Sequence, residues 1–261
     1  SNALTQTIDL PATILDYFDL SRPDNMQGRP IFGSRDDHNA SREAALFGVM
    51  GGHVNVTDGR YVYMRGNVTE DNSPLFEYTL MPARMRGMFS PKELSNWEES
   101  AGFGFTKACK LMKIPSRVPK MFASKDNPVG AGRMSTMLFD THADPGQLTP
   151  IYDPVLESRM IRLILREMAR NESPTEQYVR LGLPEPKIAK GDIYDPIMPS
   201  EQAILDACTP EPSEDRKEFA AGNGIPKMPF PNIPRDKETQ SLSFPSNIRL
   251  SPTYPFGADK N

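Results

Sequence analysis

The stretch His53–Arg65, "HVNVTDGRYVYMR", decides the fold. Val54 and Val56 alternate with His53, Asn55 and Thr57, the period of two that sends successive side chains to opposite faces of a strand. Tyr61 to Arg65 continues in residues that favour strands. Between the two runs, Asp58-Gly59 predicts a two-residue type I′ turn, which needs positive φ at both central positions. Two strands joined so tightly pair antiparallel.

Working outward, "AALFGVM" (Ala44 to Met50) predicts a strand with Ala45, Phe47 and Val49 on one side. "LFEYTLM" (Leu75 to Met81) predicts another, Phe76, Tyr78 and Leu80 sharing a face, and together these make an antiparallel meander. "MSTMLFD" (Met134 to Asp140) is apolar on both faces, as expected of a strand inside the sheet. Asp144-Pro145-Gly146-Gln147 has proline and glycine where a type II turn wants them. Asp153-Pro154 then caps the clearest helix. Its buried stripe is Leu156, Met160, Leu163, Ile164 and Met168, with Arg159, Arg162, Arg166 and Glu167 on the solvated side. Two capping boxes add short helices. Ser90-Pro91-Lys92-Glu93 starts one that runs through Trp97, and Ser173-Pro174-Thr175-Glu176 starts one that stops at Gly182. Near the start, Asp9 is the expected N-cap of a helix, accepting from the Ala12 amide, with Leu10, Ile14, Leu15 and Phe18 as its apolar stripe. The expected fold class is α+β: a small antiparallel sheet of about four strands, a C-terminal helix packed on one face, and a long Pro-rich tail.

Composition bounds the function. The chain has 261 residues and 38% apolar content, enough for a real core. A net charge of −4 gives no global attraction to nucleic acid or anionic membrane. No apolar run reaches the ~18 residues of a membrane span, no signal-peptide pattern appears, and the compartment stays open. The two cysteines, Cys109 and Cys208, cannot build a disulfide framework and are expected as a reduced, buried pair. The three histidines show no metal-ligand spacing. Ser1-Asn2-Ala3 reads as the remnant of a cleaved tag. Residues 4–43 are expected as helix and loop at the edge of a larger domain, and 44–183 as a subdomain carrying an insertion at 82–133. Residues 184–261, with 13 of the 26 prolines, are expected as an extended tail with short helices near Glu201–Ala207 and Glu214–Ala220.

Few motifs carry chemistry. "IPSR" (Ile114 to Arg117) lacks the cysteine two residues before Pro115 that formylglycine formation requires; Lys113 stands there. "VGAGRMS" leads into a strand and matches no phosphate loop. His53 reads as a strand-face residue and His142 as a loop residue, while Asp144 and Asp153 read as turn and cap. The run Lys107, Lys110, Lys113, Arg117, Lys120 and Lys125 lies in a segment, 103–125, with no acid. It is either a solvated surface or a loop facing a sulfate or phosphate ester. Lys107, Lys110, Lys113 and Arg117 are the candidate anion-binding residues.

Three stretches resemble the C-terminal part of the sulfatase family, within the alkaline phosphatase superfamily. In "TIDLPATILDYFDLSRPDNMQGRPIF", Asp9-Leu10-Pro11-Ala12-Thr13 and Gln27-Gly28-Arg29-Pro30 resemble the family's "DLxPT" helix and "QGR" loop. "TDGRYVYMR" (Thr57 to Arg65) resembles a hairpin strand between them and the end. "LFDTHADPGQLTPIYDP" resembles the strand and turn before the C-terminal helix, although Gln147 replaces a glutamate and Thr149-Pro150 an Asn-Leu pair. The resemblance covers residues 4–170. It implies a parent enzyme that hydrolyses sulfate esters, with a formylglycine nucleophile and a divalent metal, calcium, on polypeptide upstream of Leu4. This chain would shape the substrate pocket and be inactive alone. The implied partners are that N-terminal catalytic domain and a sulfated small molecule or glycan. The Leu10/Ile14/Phe18 stripe, without its cover, would favour self-association. Two alternatives stand beside it: a non-catalytic anion- or glycan-binding or scaffold module, and a piece of a related phosphoesterase or phosphonate hydrolase.

Overall fold

The computed structural model describes residues 4–24, 26–31, 42–84, 87–107, 109–116, 134–189 and 195–209. The fold is α+β. Its main sheet has four antiparallel strands, β1 (Ala45–Gly48), β2 (Val54–Thr57), β3 (Tyr61–Arg65) and β9 (Met137–Asp140), in the order β1-β2-β3-β9. Leu46 pairs with Val56, Val56 with Tyr63, and Tyr63 with Leu138, and this row of side chains forms the floor of the core. The core face of β1 therefore carries Leu46, while Phe47 and Val49 are exposed.

The hairpin differs from the expected type I′ turn by one residue. Thr57 pairs with Val62, so the central residues are Gly59 and Arg60, and of these only Gly59 has positive φ, 95°. That is the type II′ arrangement, with glycine first. Asp58 selects it, because its carboxylate accepts from the Arg60 amide at 2.9 Å and the Tyr61 amide at 2.7 Å. At Asp144–Gln147 the left-handed residue is Gln147, φ 51°, and not Gly146, so the turn is not type II. The Asp144 carboxylate holds the following amides of Leu148 and Thr149 at 2.6 and 2.8 Å.

Helix α3 (Pro154–Arg170) packs on β1 and β2, capped by Asp153, whose Oδ1 accepts from the Val155 and Leu156 amides at 3.0 Å. It is buried over more than its expected stripe: Ile161, Leu165, Glu157 and Glu167 are inside as well. The reason is a second layer, α4 (Thr175–Leu181) and α5 (Glu201–Asp206), which adds Tyr178, Leu181 and Ile204 to the same core. Ser200 caps α5. Ser173 does not cap α4, and the Glu176 side chain is engaged elsewhere.

Two strands sit differently from their sequence reading. β9 is an edge strand, its outer side partly closed by the Ile151 amide donating to the Leu138 carbonyl at 2.8 Å. The strand β4 (Phe76–Thr79) leaves the meander for a second antiparallel sheet with β7 (Glu98–Ser100) and β8 (Leu111–Pro115), in the order β4-β8-β7. Between β4 and β7 lie the two-residue strands β5 (Ala83–Arg84) and β6 (Gly87–Met88) and helix α2 (Pro91–Leu94), whose Ser90/Glu93 capping box forms as expected but which ends before Trp97.

The first helix, α1 (Asp9–Tyr17), includes Asp9 instead of being capped by it. Leu10, Ile14 and Phe18 are exposed, and Ala12 is the buried apolar residue. The cysteines are free, Cys109 exposed and Cys208 half-buried, so they are not a buried pair. Among the described residues no helix is long and apolar enough to cross a membrane. Arg117, the Glu214–Ala220 segment and the tail beyond Thr209 lie outside the described residues.

Candidate functional site

The second sheet carries the sequence-derived candidates. Strand alternation places Tyr78, Lys113 and Glu98 on one face, since Tyr78 pairs with Lys113 and Lys113 with Glu98. Lys113 lies 4.2 Å over the Phe76 ring, and its Nζ is 3.2 Å from Glu176 of α4. The Tyr78 hydroxyl donates to the same carboxylate. Burial alone would raise the Glu176 carboxyl; the Tyr78 hydroxyl and then Lys113 outweigh it, and the group titrates below the usual carboxylate range. Burial, then Glu176, pushes the Tyr78 phenol up.

Beside this pair an aromatic row runs outward. Tyr78 meets Phe103 edge to face at 5.1 Å, and Phe103 stacks on Phe105 at 5.2 Å with the rings 6° from parallel. The 3-10 turn Gly104–Thr106 holds these rings, and Glu172 anchors it by accepting from the Gly104 amide at 2.6 Å. Lys107 closes the turn in the left-handed conformation, φ 54°. Phe105 is 53% exposed, so the row ends at solvent.

Of the four candidates, the three that are described, Lys107, Lys110 and Lys113, do not form one cationic cluster. Lys110 pairs with Glu99 at 2.5 Å on the strand surface, and Lys113 pairs with Glu176. Glu98 and Glu99 are consecutive on β7 and so face opposite ways, which separates the two lysines. Lys107 has no carboxylate partner among the described residues. Sequence had set this basic run apart from acids; the fold returns Glu99, Glu172 and Glu176 to it.

A second constellation joins the start of the chain. Buried Asp9 accepts from the backbone amides of Gln6 and Arg29, each at 2.8 Å, and pairs with Arg42. Thr13 Oγ1 accepts from the Ile31 amide at 2.9 Å. Gly28 is required here, because a Cβ on it would lie 1.9 Å from the Ile8 carbonyl oxygen. Burial would raise the Asp9 carboxyl, but the Arg42 guanidinium and the two amides bring it below its ordinary value.

No family model matches the chain, and no curated protein or solved structure matches it.

Sequence reasoning missed two buried guanidinium groups. Arg65 donates to the carbonyls of Leu181, Gly182 and Ala207 and to the Tyr63 hydroxyl, which in turn donates to buried Glu157 at 2.9 Å. Arg180, 2% exposed, donates to Asn72 Oδ1 at 2.9 Å, and burial pushes its guanidinium down to about 10. His53 Nε2 lies 2.9 Å from the Ser135 carbonyl, and burial, with Arg180 nearby, lowers its pKa. His142 sits in an exposed turn. Among the described residues no three His, Cys, Asp or Glu side chains converge as metal donors. With Lys113 where formylglycine formation needs a cysteine, the described residues fit neither calcium nor formylglycine.

Proposed function

We propose that this chain is the C-terminal part of a sulfatase, shaping the substrate pocket of a parent enzyme that hydrolyses sulfate esters. The observation that carries the reading is the Asp9 junction. The two likeness elements, Asp9–Thr13 and Gln27–Pro30, lock together: the Arg29 amide donates to the Asp9 carboxylate, and the amide of Ile31, the next residue, donates to Thr13 Oγ1. The other likeness residues also meet: Arg60 grips Asp140 with two nitrogens, its Nη2 at 2.7 Å. Exposure of Leu10, Ile14 and Phe18 on α1 leaves a face on which a catalytic domain would dock. On this reading Lys107 and the Phe103/Phe105 row face the substrate. Lys113, held against Glu176, would then support the row from the sheet.

The native coding sequence ahead of Leu4 tests the proposal. It is expected to encode Cys/Ser-x-Pro-x-Arg, and its lack of that motif would overturn the reading. The chain alone is expected to give no turnover of an aryl sulfate; steady turnover would place the nucleophile within these residues and contradict the assignment.

A further inference from the structure

The second sheet is inserted into the main one through a narrow neck. Where the chain leaves β3, the Gly66 amide donates to Thr136 Oγ1 at 3.2 Å, and Asn67 Oδ1 accepts from the Met134 amide at 2.9 Å. The outgoing and returning segments touch there so closely that a Cβ on Gly66 would lie 1.9 Å from the Met134 carbonyl oxygen. The outgoing segment is pinned once more, by the Val68 amide to the Arg180 carbonyl at 3.0 Å and by Asn72 to the Arg180 side chain. Beyond that point, residues 75–84, 87–107 and 109–116 bury a few apolar side chains outside the main core, with Leu111 and Ile114 on opposite faces of β8. Leu75, Phe89, Leu111 and Ile114 are buried, yet none belongs to the main hydrophobic cluster.

Among the described residues, two carboxylates at the α3–α4 junction take polar contacts from this unit. Glu172 takes the Gly104 amide, and Glu176 takes the Tyr78 hydroxyl and the Lys113 ammonium. Charge-assisted bonds of this kind are roughly twice as strong as neutral ones. We propose that residues 75–116 form a separately opening unit, hinged at the Asn67/Met134 neck and clasped shut by Glu172 and Glu176. The clasp sets the position of the Phe103/Phe105 row and Lys107. This opening does not depend on whether the chain derives from a sulfatase.

Hydrogen exchange on the full chain tests it, comparing wild type with Glu172→Ala/Glu176→Ala. The clasp predicts exchange faster by about tenfold in 76–79, 98–100 and 111–114, with residues 160–168 of α3 unchanged, because a sub-global opening becomes easier while the core does not. The single tryptophan, Trp97, lies just before β7 and reports the same opening by fluorescence, while helical circular dichroism reports the core. Should the double variant fail to fold, Tyr78→Phe carries the test with a smaller change in the same segments. Unchanged exchange in β4 and β8, or equal acceleration in α3, would overturn the proposal.

Discussion

The main core and the inserted unit bury material of different kinds. Around Tyr63, Ile161, Ile164 and Leu165, none of them exposed, the four-stranded sheet and three helices also enclose two guanidinium groups, Arg65 and Arg180. Each is satisfied by carbonyl, amide or hydroxyl oxygens. The inserted unit buries little beyond Leu75, Phe89, Leu111 and Ile114, and carries exposed pairs such as Lys110–Glu99 and Arg84–Glu93 beside the more sheltered Lys113–Glu176 pair. Apolar burial and desolvated, fully bonded polar groups make opening expensive; surface pairs do not. Stability is therefore unevenly distributed, high around α3 and low in residues 75–116.

The largest effect that separates the regions comes from cavities. Ile164→Ala should cost about 2–5 kcal/mol and lower the denaturation midpoint seen by circular dichroism and by Trp97 fluorescence together. Ile114, equally buried, is the counterpart. Ile114→Ala should move the Trp97 signal first and leave the circular dichroism midpoint nearly in place; a joint shift would merge the two regions. Next is the cap of α3. Asp153→Ala frees the Val155 and Leu156 amides and should cost about 1 kcal/mol in urea unfolding, seen through the main core.

A smaller effect comes from His53. Its pKa is lowered in the folded chain, so above the free histidine value both states are neutral and His53 adds no pH dependence. Below about 6.5 the unfolded chain takes up the proton first. Stability should therefore fall as pH drops through that point, and His53→Gln should flatten this limb in unfolding titrations between pH 7 and 5. Least of all is Lys110→Ala, which removes an exposed pair and should change stability by about 0–1 kcal/mol, with no change in the core.

What was legible in the sequence follows the same division. The hairpin and α3 were readable because their signals are local: Asp58-Gly59 punctuates the alternation, and Asp153-Pro154 starts the helix. Glu157 could have been found too, since it lies on the helical row of Ile161, Ile164 and Met168. Residues 75–116 were misjoined because alternation in Phe76 and Tyr78 shows that a strand exists and not which strand it pairs with. Its partner, β8, sits inside the basic run, where charge obscured the apolar residues Leu111 and Ile114. Nor could local reading supply Glu176 as the counter-charge of Lys113, or turn Asp9 from a helix cap to the Arg29 amide and Arg42. Those pairings exist only once the chain has folded back.

Native-state hydrogen exchange of the wild-type chain in rising denaturant tests the uneven stability most directly. Amides of β4 and β8 are expected to exchange through an opening of lower free energy and weaker denaturant dependence than those of α3. A single free energy and slope shared by both sets would contradict it.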